Sequence, residues 1–169
     1  MERFVALLRA VNVGGLKLPM AELKAMCDAV GLEQARTYIA SGNVVFRSEL
    51  TERQVKAALE RELRAFAGKA VGVMVRTAEE MAGVAAANPF PDARPKQLLV
   101  LFLDQAPGPD ALAGVRHQKG ERLALGKREI YIDYGEGIGA SKLSLPASKV
   151  GTGRNLNTVI RLAEIAAES

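Results

Sequence analysis

Three short polar segments hold most of the side chains that could do chemistry in this chain of 169 residues. The first runs from Arg9 to Lys17 and offers Arg9, Asn12, Gly14, Gly15 and Lys17. The second is Ser41-Gly42-Asn43, and the third is Gly151-Thr152-Gly153-Arg154-Asn155. A cation beside glycine-rich backbone suits an anion, because backbone N–H groups can cradle its oxygens while Lys or Arg supplies the charge. Phosphate and carboxylate are therefore the ligand chemistries these residue types point to. Lys142, in the loop after Gly135, adds to the basic set. The same residues also build ordinary structure: Gly14-Gly15 and Ser41-Gly42-Asn43 are turn formers, and Asn155 is an N-cap type ahead of an apolar helical stripe. Arg9 lies in an otherwise apolar run, where an unpaired guanidinium is strongly disfavoured. Its partner is either a carboxylate from the second half or a ligand anion.

Catalytic patterns find little support. The P-loop pattern GxxxxGK[ST] is absent. Gly135-Glu136-Gly137-Ile138-Gly139-Ala140 matches G-x-G-x-x-A after a strand, but Pro146 prevents a long helix immediately afterwards, no later strand is expected to supply the ribose-binding acid, and Glu136 would repel a pyrophosphate. His117 has no Ser or Cys at a recognisable spacing, and Cys27 falls on an apolar helical stripe. Asp133 alternates with Ile132 and Tyr134 and, without a second placed carboxylate, reads as an exposed strand residue. One Cys and one His exclude an intramolecular disulfide framework and the usual zinc sites. Neither a metal nor a cofactor is expected.

The elements that must position these residues follow from periodicity. Phe4 to Val11 is apolar apart from Arg9, as in a strand buried on both faces. Pro19 opens a helix striped by Met20, Leu23, Cys27 and Val30 and closed by Gly31. Thr37 to Ala40 and Val44 to Arg47 flank Ser41-Gly42-Asn43 as a hairpin. Thr51 and Gln54 form a capping box for a helix ending at Gly68, and Val71 to Val75 is a further strand. The order is β-α-β-β-α-β. Thr77 and Glu80 cap a short helix that stops at Asn88-Pro89, and a proline-rich connector follows. Leu98 to Leu103 then reads as a strand, Pro109 to His117 as a short helix, and Leu123 to Leu125 with Ile130 to Tyr134 as a hairpin whose Gly126 supplies a positive φ. A helix from near Asn155 ends the pattern, and a fourth strand in this half is not evident.

These readings predict an α+β chain of two tandem ferredoxin-like subdomains with mainly antiparallel sheets, covering 1–76 and 97–169, joined by a helix and connector over 77–96. In that topology the end of strand one, the hairpin and the start of helix one share an edge. The composition agrees with a globular protein: 49% hydrophobic, 25% charged, and a net charge of 23 − 19 = +4. No apolar run nears the roughly 20 residues of a membrane helix, and the amino terminus lacks a signal-peptide stretch, so a cytoplasmic location without membrane contact is expected.

Three stretches carry a resemblance to a known family: Leu7 to Lys24, LLRAVNVGGLKLPMAELK; Tyr38 to Phe46, YIASGNVVF; and Gly151 to Val159, GTGRNLNTV. The chain resembles the bacterial domain of unknown function 1697, over essentially its whole length. The resemblance implies two tandem ferredoxin-like subdomains and carries no established activity. It also marks departures: Ala10 stands where members usually have Gly, Leu156 where they have Trp, and Ala140 where a basic residue is common. The function expected is binding of a small phosphate- or carboxylate-bearing, nucleotide-like ligand at the edge between the subdomains. A hydrolase or transferase site in the same place is the alternative. Single-stranded RNA ranks lower, because aromatic stacking pairs are not evident and Phe4 and Phe46 sit in apolar contexts.

Overall fold

A computed structural model describes residues 1–168. The chain forms two compact units, one made of Met1–Ala82 with the end of the chain from Leu162, the other of Gly83–Arg161.

The first unit contains β1 (Glu2–Leu8), α1 (Met20–Ala29), β2 (Glu33–Thr37), β3 (Asn43–Ser48), α2 (Glu52–Ala67) and β4 (Val73–Thr77). Its sheet has the order β2-β3-β1-β4, with every neighbouring pair antiparallel. The expected capping box forms at α2: the Gln54 N–H donates to Thr51 Oγ1 at 3.2 Å and the Thr51 N–H to Gln54 Oε1 at 2.9 Å. Gly68 ends that helix in the left-handed conformation, φ 73°. One face of the sheet, with Phe4, Ala6, Leu8, Val44, Phe46, Val73 and Val75, joins Leu23, Cys27, Leu59 and Leu63 of the helices in the core. The register puts Arg3, Val5 and Leu7 of β1 on the other face, with Asn43, Val45 and Arg47 of β3 and Met74 and Arg76 of β4. Val5 and Leu7 are also fully buried, so β1 is covered on both sides.

Cys27 occupies the predicted apolar stripe, and burial pushes its thiol up to about 12. It should therefore resist a disulfide reagent in the native chain and react only after denaturation. Rapid labelling under native conditions would contradict this placement.

The second unit begins within α3 (Ala78–Ala86), whose Thr77–Glu80 capping box forms as expected. It continues through β5 (Leu98–Phe102), β6 (Arg122–Leu125), β7 (Glu129–Asp133), a 3-10 turn at Pro146–Lys149, β8 (Thr152–Asn155) and α4 (Leu156–Glu168), whose last turns belong to the first unit. Its sheet has the order β6-β7-β5-β8, again antiparallel throughout. Leu101, Leu103, Ile130, Ile132 and Leu145 make the core on one face. No helix among the described residues is long and apolar enough to cross a membrane.

Four local expectations are corrected. The fourth strand of the second half exists, and it is β8, within the segment read as a glycine loop. Gly153 pairs with Leu101 across the ladder, and a Cβ there would lie 2.9 Å from Leu99 Cδ2 on the neighbouring strand. The predicted helix at Pro109 to His117 is instead a run of turns, with Ala111 N–H bonded to Gly108 O at 3.0 Å and Ala113 N–H to Asp110 O at 2.9 Å. In the first hairpin β2 stops at Thr37, and Ile39 turns into the left-handed region at φ 48°. Gly126 has no positive φ; glycine fits there because a Cβ would meet Tyr131 Cε2 at 2.9 Å.

The two sheets place one residue type alike. Arg76 on β4 pairs with Val5 and precedes the capping Thr77, while Arg154 on β8 pairs with Val100 and precedes Asn155, whose Oδ1 accepts from the Thr158 N–H at 2.9 Å. In each unit a buried arginine thus sits one residue before a helix cap.

Candidate functional site

The loop after β1 takes an uncommon backbone conformation. Ala10 at φ 56°, Asn12 at φ 58° and Gly14 at φ 94° all lie in the left-handed region, which disfavours side chains other than those of Asn and Asp. Ile39, across the hairpin, is a fourth such residue and the most strained, being β-branched. Among the described residues, three of the five non-glycine residues with positive φ thus gather in these two loops. Strain of this kind persists only where surrounding bonds over-determine it.

Asn12 supplies those bonds. Its Nδ2 donates to Leu18 O at 2.9 Å and to Ala40 O at 2.6 Å, and its Oδ1 accepts from the Leu18 N–H at 2.8 Å. One amide thereby closes the loop on itself and staples it to the hairpin. Asn43 does the corresponding work on the hairpin side: fully buried, it donates through Nδ2 to Tyr38 O at 2.9 Å and to Ser41 Oγ at 2.9 Å. Gly42 accepts from the Leu8 N–H at 2.8 Å, which locks the hairpin against the end of β1. The Arg9 N–H bonds Gly72 O at 2.9 Å, and its side chain is half-buried beside Gly72.

Between loop and hairpin lies an open groove of about 440 Å³ lined by Asn12, Gly14, Leu16, Lys17, Leu18, Pro19, Met20 and Ala40. Lys17 is exposed and is the only charged side chain among these lining residues. The groove reaches the amino-terminal end of α1, where Pro19 is the N-cap and makes no side-chain capping bond. The positive end of the helix dipole and the Lys17 ammonium therefore act on the same space. The other walls are mainly apolar.

Of the residues singled out in the sequence, the structure brings Asn12, Gly14 and Lys17 to this groove, with Ser41, Gly42 and Asn43 behind it as supports. Gly15 lies nearer Lys69, whose Nζ would be 3.9 Å from a Cβ at that position. Sequence reading missed Leu16, Leu18, Met20 and Ala40, which carry no chemical signature and enter only by geometry.

Arg154 and Asn155 belong to the second unit. Arg154 is 6% exposed on β8, and it donates to Thr152 Oγ1 at 2.6 Å and Gly153 O at 2.9 Å. Burial pulls its guanidinium down to about 10. Tyr131, in the same cross-strand row through Val100, is pushed up to about 12 by burial and donates to Val84 O at 2.7 Å. Asp133 is not the exposed strand residue expected: it is 5% exposed and accepts from Arg122 Nε at 2.8 Å and Nη2 at 2.5 Å. Arg122 also lies 4.6 Å above the Phe90 ring.

Lys142 lines a separate groove of about 450 Å³ in the second unit, with His117, Glu121, Tyr134 and Ser141 among its neighbours. The Ser141 hydroxyl donates to Glu121 Oε2 at 2.5 Å, and this bond with that from the Lys119 N–H lowers Glu121 to about 2. The rings of Phe4 and Phe46 stack with centroids 5.8 Å apart inside the core, at 3% and 0% exposure, and offer no platform for a nucleobase.

Comparison with known proteins agrees with this architecture. A solved structure of a conserved bacterial protein from Streptococcus pneumoniae superposes with a TM-score of 0.83 at 25% sequence identity, covering 99% of each chain. None of the curated proteins compared matches the chain. The family model described as "Protein of unknown function (DUF1697)" matches residues 1–131. That match spans well over half of the sequence, and the chain belongs to this family.

Proposed function

We propose that the groove between the Arg9–Lys17 loop and the first hairpin binds a small ligand carrying a phosphate or carboxylate on a largely apolar, nucleotide-like body. The observation that carries this reading is the staple made by Asn12, which holds strained backbone in place around a groove whose lining has one cation, Lys17, beside the uncapped start of α1. An anionic group would lie against Lys17 and the first turn of α1, and the rest of the ligand against the half-buried Leu16 and Met20. Each unit is, in this reading, a ferredoxin-like half of a duplicated chain. The shared strand order and the repeated arginine before each helix cap support that assignment.

A thermal-shift screen of nucleotides, inorganic phosphate and small carboxylates tests the proposal. A ligand at about 100 times its Kd should stabilise the chain by roughly 2.7 kcal/mol. Lys17→Ala should keep the fold, since Lys17 is exposed, and weaken binding about tenfold, the effect of one charge-assisted hydrogen bond. Unchanged affinity in Lys17→Ala would refute the placement.

A further inference from the structure

On the opposite face of the same sheet, Arg3 of β1 and Arg47 of β3 stand directly across from each other. Like charges in that arrangement repel at close range and destabilise a strand pair unless something neutralises them. Glu33, opposite Arg47 on its other side, is exposed. Arg3 donates through Nη1 to Ala167 O at 3.1 Å, whereas Arg47 Nε is buried and has no hydrogen-bond partner among the described residues. A buried guanidinium N–H without an acceptor is rare in a folded protein and calls for an explanation.

Both arginines line a groove of about 470 Å³ that is separate from the one beside Lys17. Four alanines, Ala78 and Ala82 of α3 with Ala163 and Ala167 of α4, form its other walls. Methyl groups leave room for a ligand but offer it no hydrogen bond. Glu2 and Glu79 also line the groove, and they would disfavour an extended polyanion. We propose that this groove is a second site, in which one oxyanion group, a phosphate or a carboxylate, bridges Arg3 and Arg47 and accepts the Arg47 Nε–H. Such a bridge satisfies the orphaned donor and relieves the repulsion between the paired strands in one step. It does not depend on the reading given for Lys17.

The test is the Arg47 Nε–Hε cross-peak in an NMR titration of the full chain, with sodium phosphate in one arm and sodium acetate in the other at constant ionic strength. Saturable movement with either anion supports the site, and the arm that saturates at lower concentration identifies its source chemistry. Arg3→Gln should weaken that binding about tenfold, and Lys17→Ala should leave it unchanged. In a buffer free of both anions, Arg47→Met should raise the melting temperature, because it removes both the repulsion and the orphaned donor. A cross-peak that does not saturate with either anion, or a lower melting temperature in Arg47→Met, would overturn the proposal.

Discussion

Gly42→Ala is expected to lose about 2–5 kcal/mol of stability, summing roughly 1–2 for a left-handed alanine and 1–3 for overpacking. Gly42 sits at φ +89°, and a Cβ there would lie 2.5 Å from Val11 Cγ2 and 2.9 Å from Leu8 Cβ. Neither neighbour can move away easily. Val11 and Leu8 are buried at 1% and 0% exposure, and Leu8 is tied to Gly42 by its own N–H. Gly14 provides the control, because it is also left-handed, φ +94°, but a Cβ added there would meet nothing within 4 Å. Gly14→Ala should therefore show only the conformational part, about 1–2 kcal/mol. Urea denaturation of both variants measures the difference. Equal losses would mean that the hairpin does not press on the end of β1 as described.

Asn12→Ala should be the next most damaging change, at about 2–4 kcal/mol. It removes three hydrogen bonds, leaves the N–H of buried Leu18 without its acceptor, and places alanine at φ 58°. Asn12→Gly separates these contributions, since glycine accepts the backbone conformation while still deleting the amide. If the staple matters more than the strain, Asn12→Gly should recover only the conformational part, about 1–2 kcal/mol, and bind ligand as poorly as Asn12→Ala. Full recovery of binding in Asn12→Gly would show that the amide does not shape the groove.

The parts of this fold that are legible in the sequence are those written in local chemistry. The capping boxes at Thr51–Gln54 and Thr77–Glu80 are visible because each needs two residues at fixed spacing, and both form. The stripe with Leu23 and Cys27 follows from helical period alone. What stays hidden depends on contacts distant in sequence. Gly153 looks like a loop residue until Leu99 is beside it, and Tyr38-Ile39 has the composition of a strand although tertiary structure holds Ile39 at positive φ. Asn12 and Asn43 stand out in the sequence by residue type and setting. Their role in the structure is to hold backbone, which residue type alone does not separate from binding. The pairing of Arg3 with Arg47 is invisible for the same reason, since it requires the register of β1 against β3.

The most direct measurement is a ¹⁵N–¹H correlation spectrum of the full chain titrated with adenosine monophosphate, repeated on Lys17→Ala. Saturable shifts are expected in the backbone amides of Gly14, Lys17, Leu18, Met20 and Ala40, with the same amides shifting about tenfold less readily in the variant. Saturable binding that leaves those amides unmoved, or an affinity indifferent to Lys17, would contradict the proposed site.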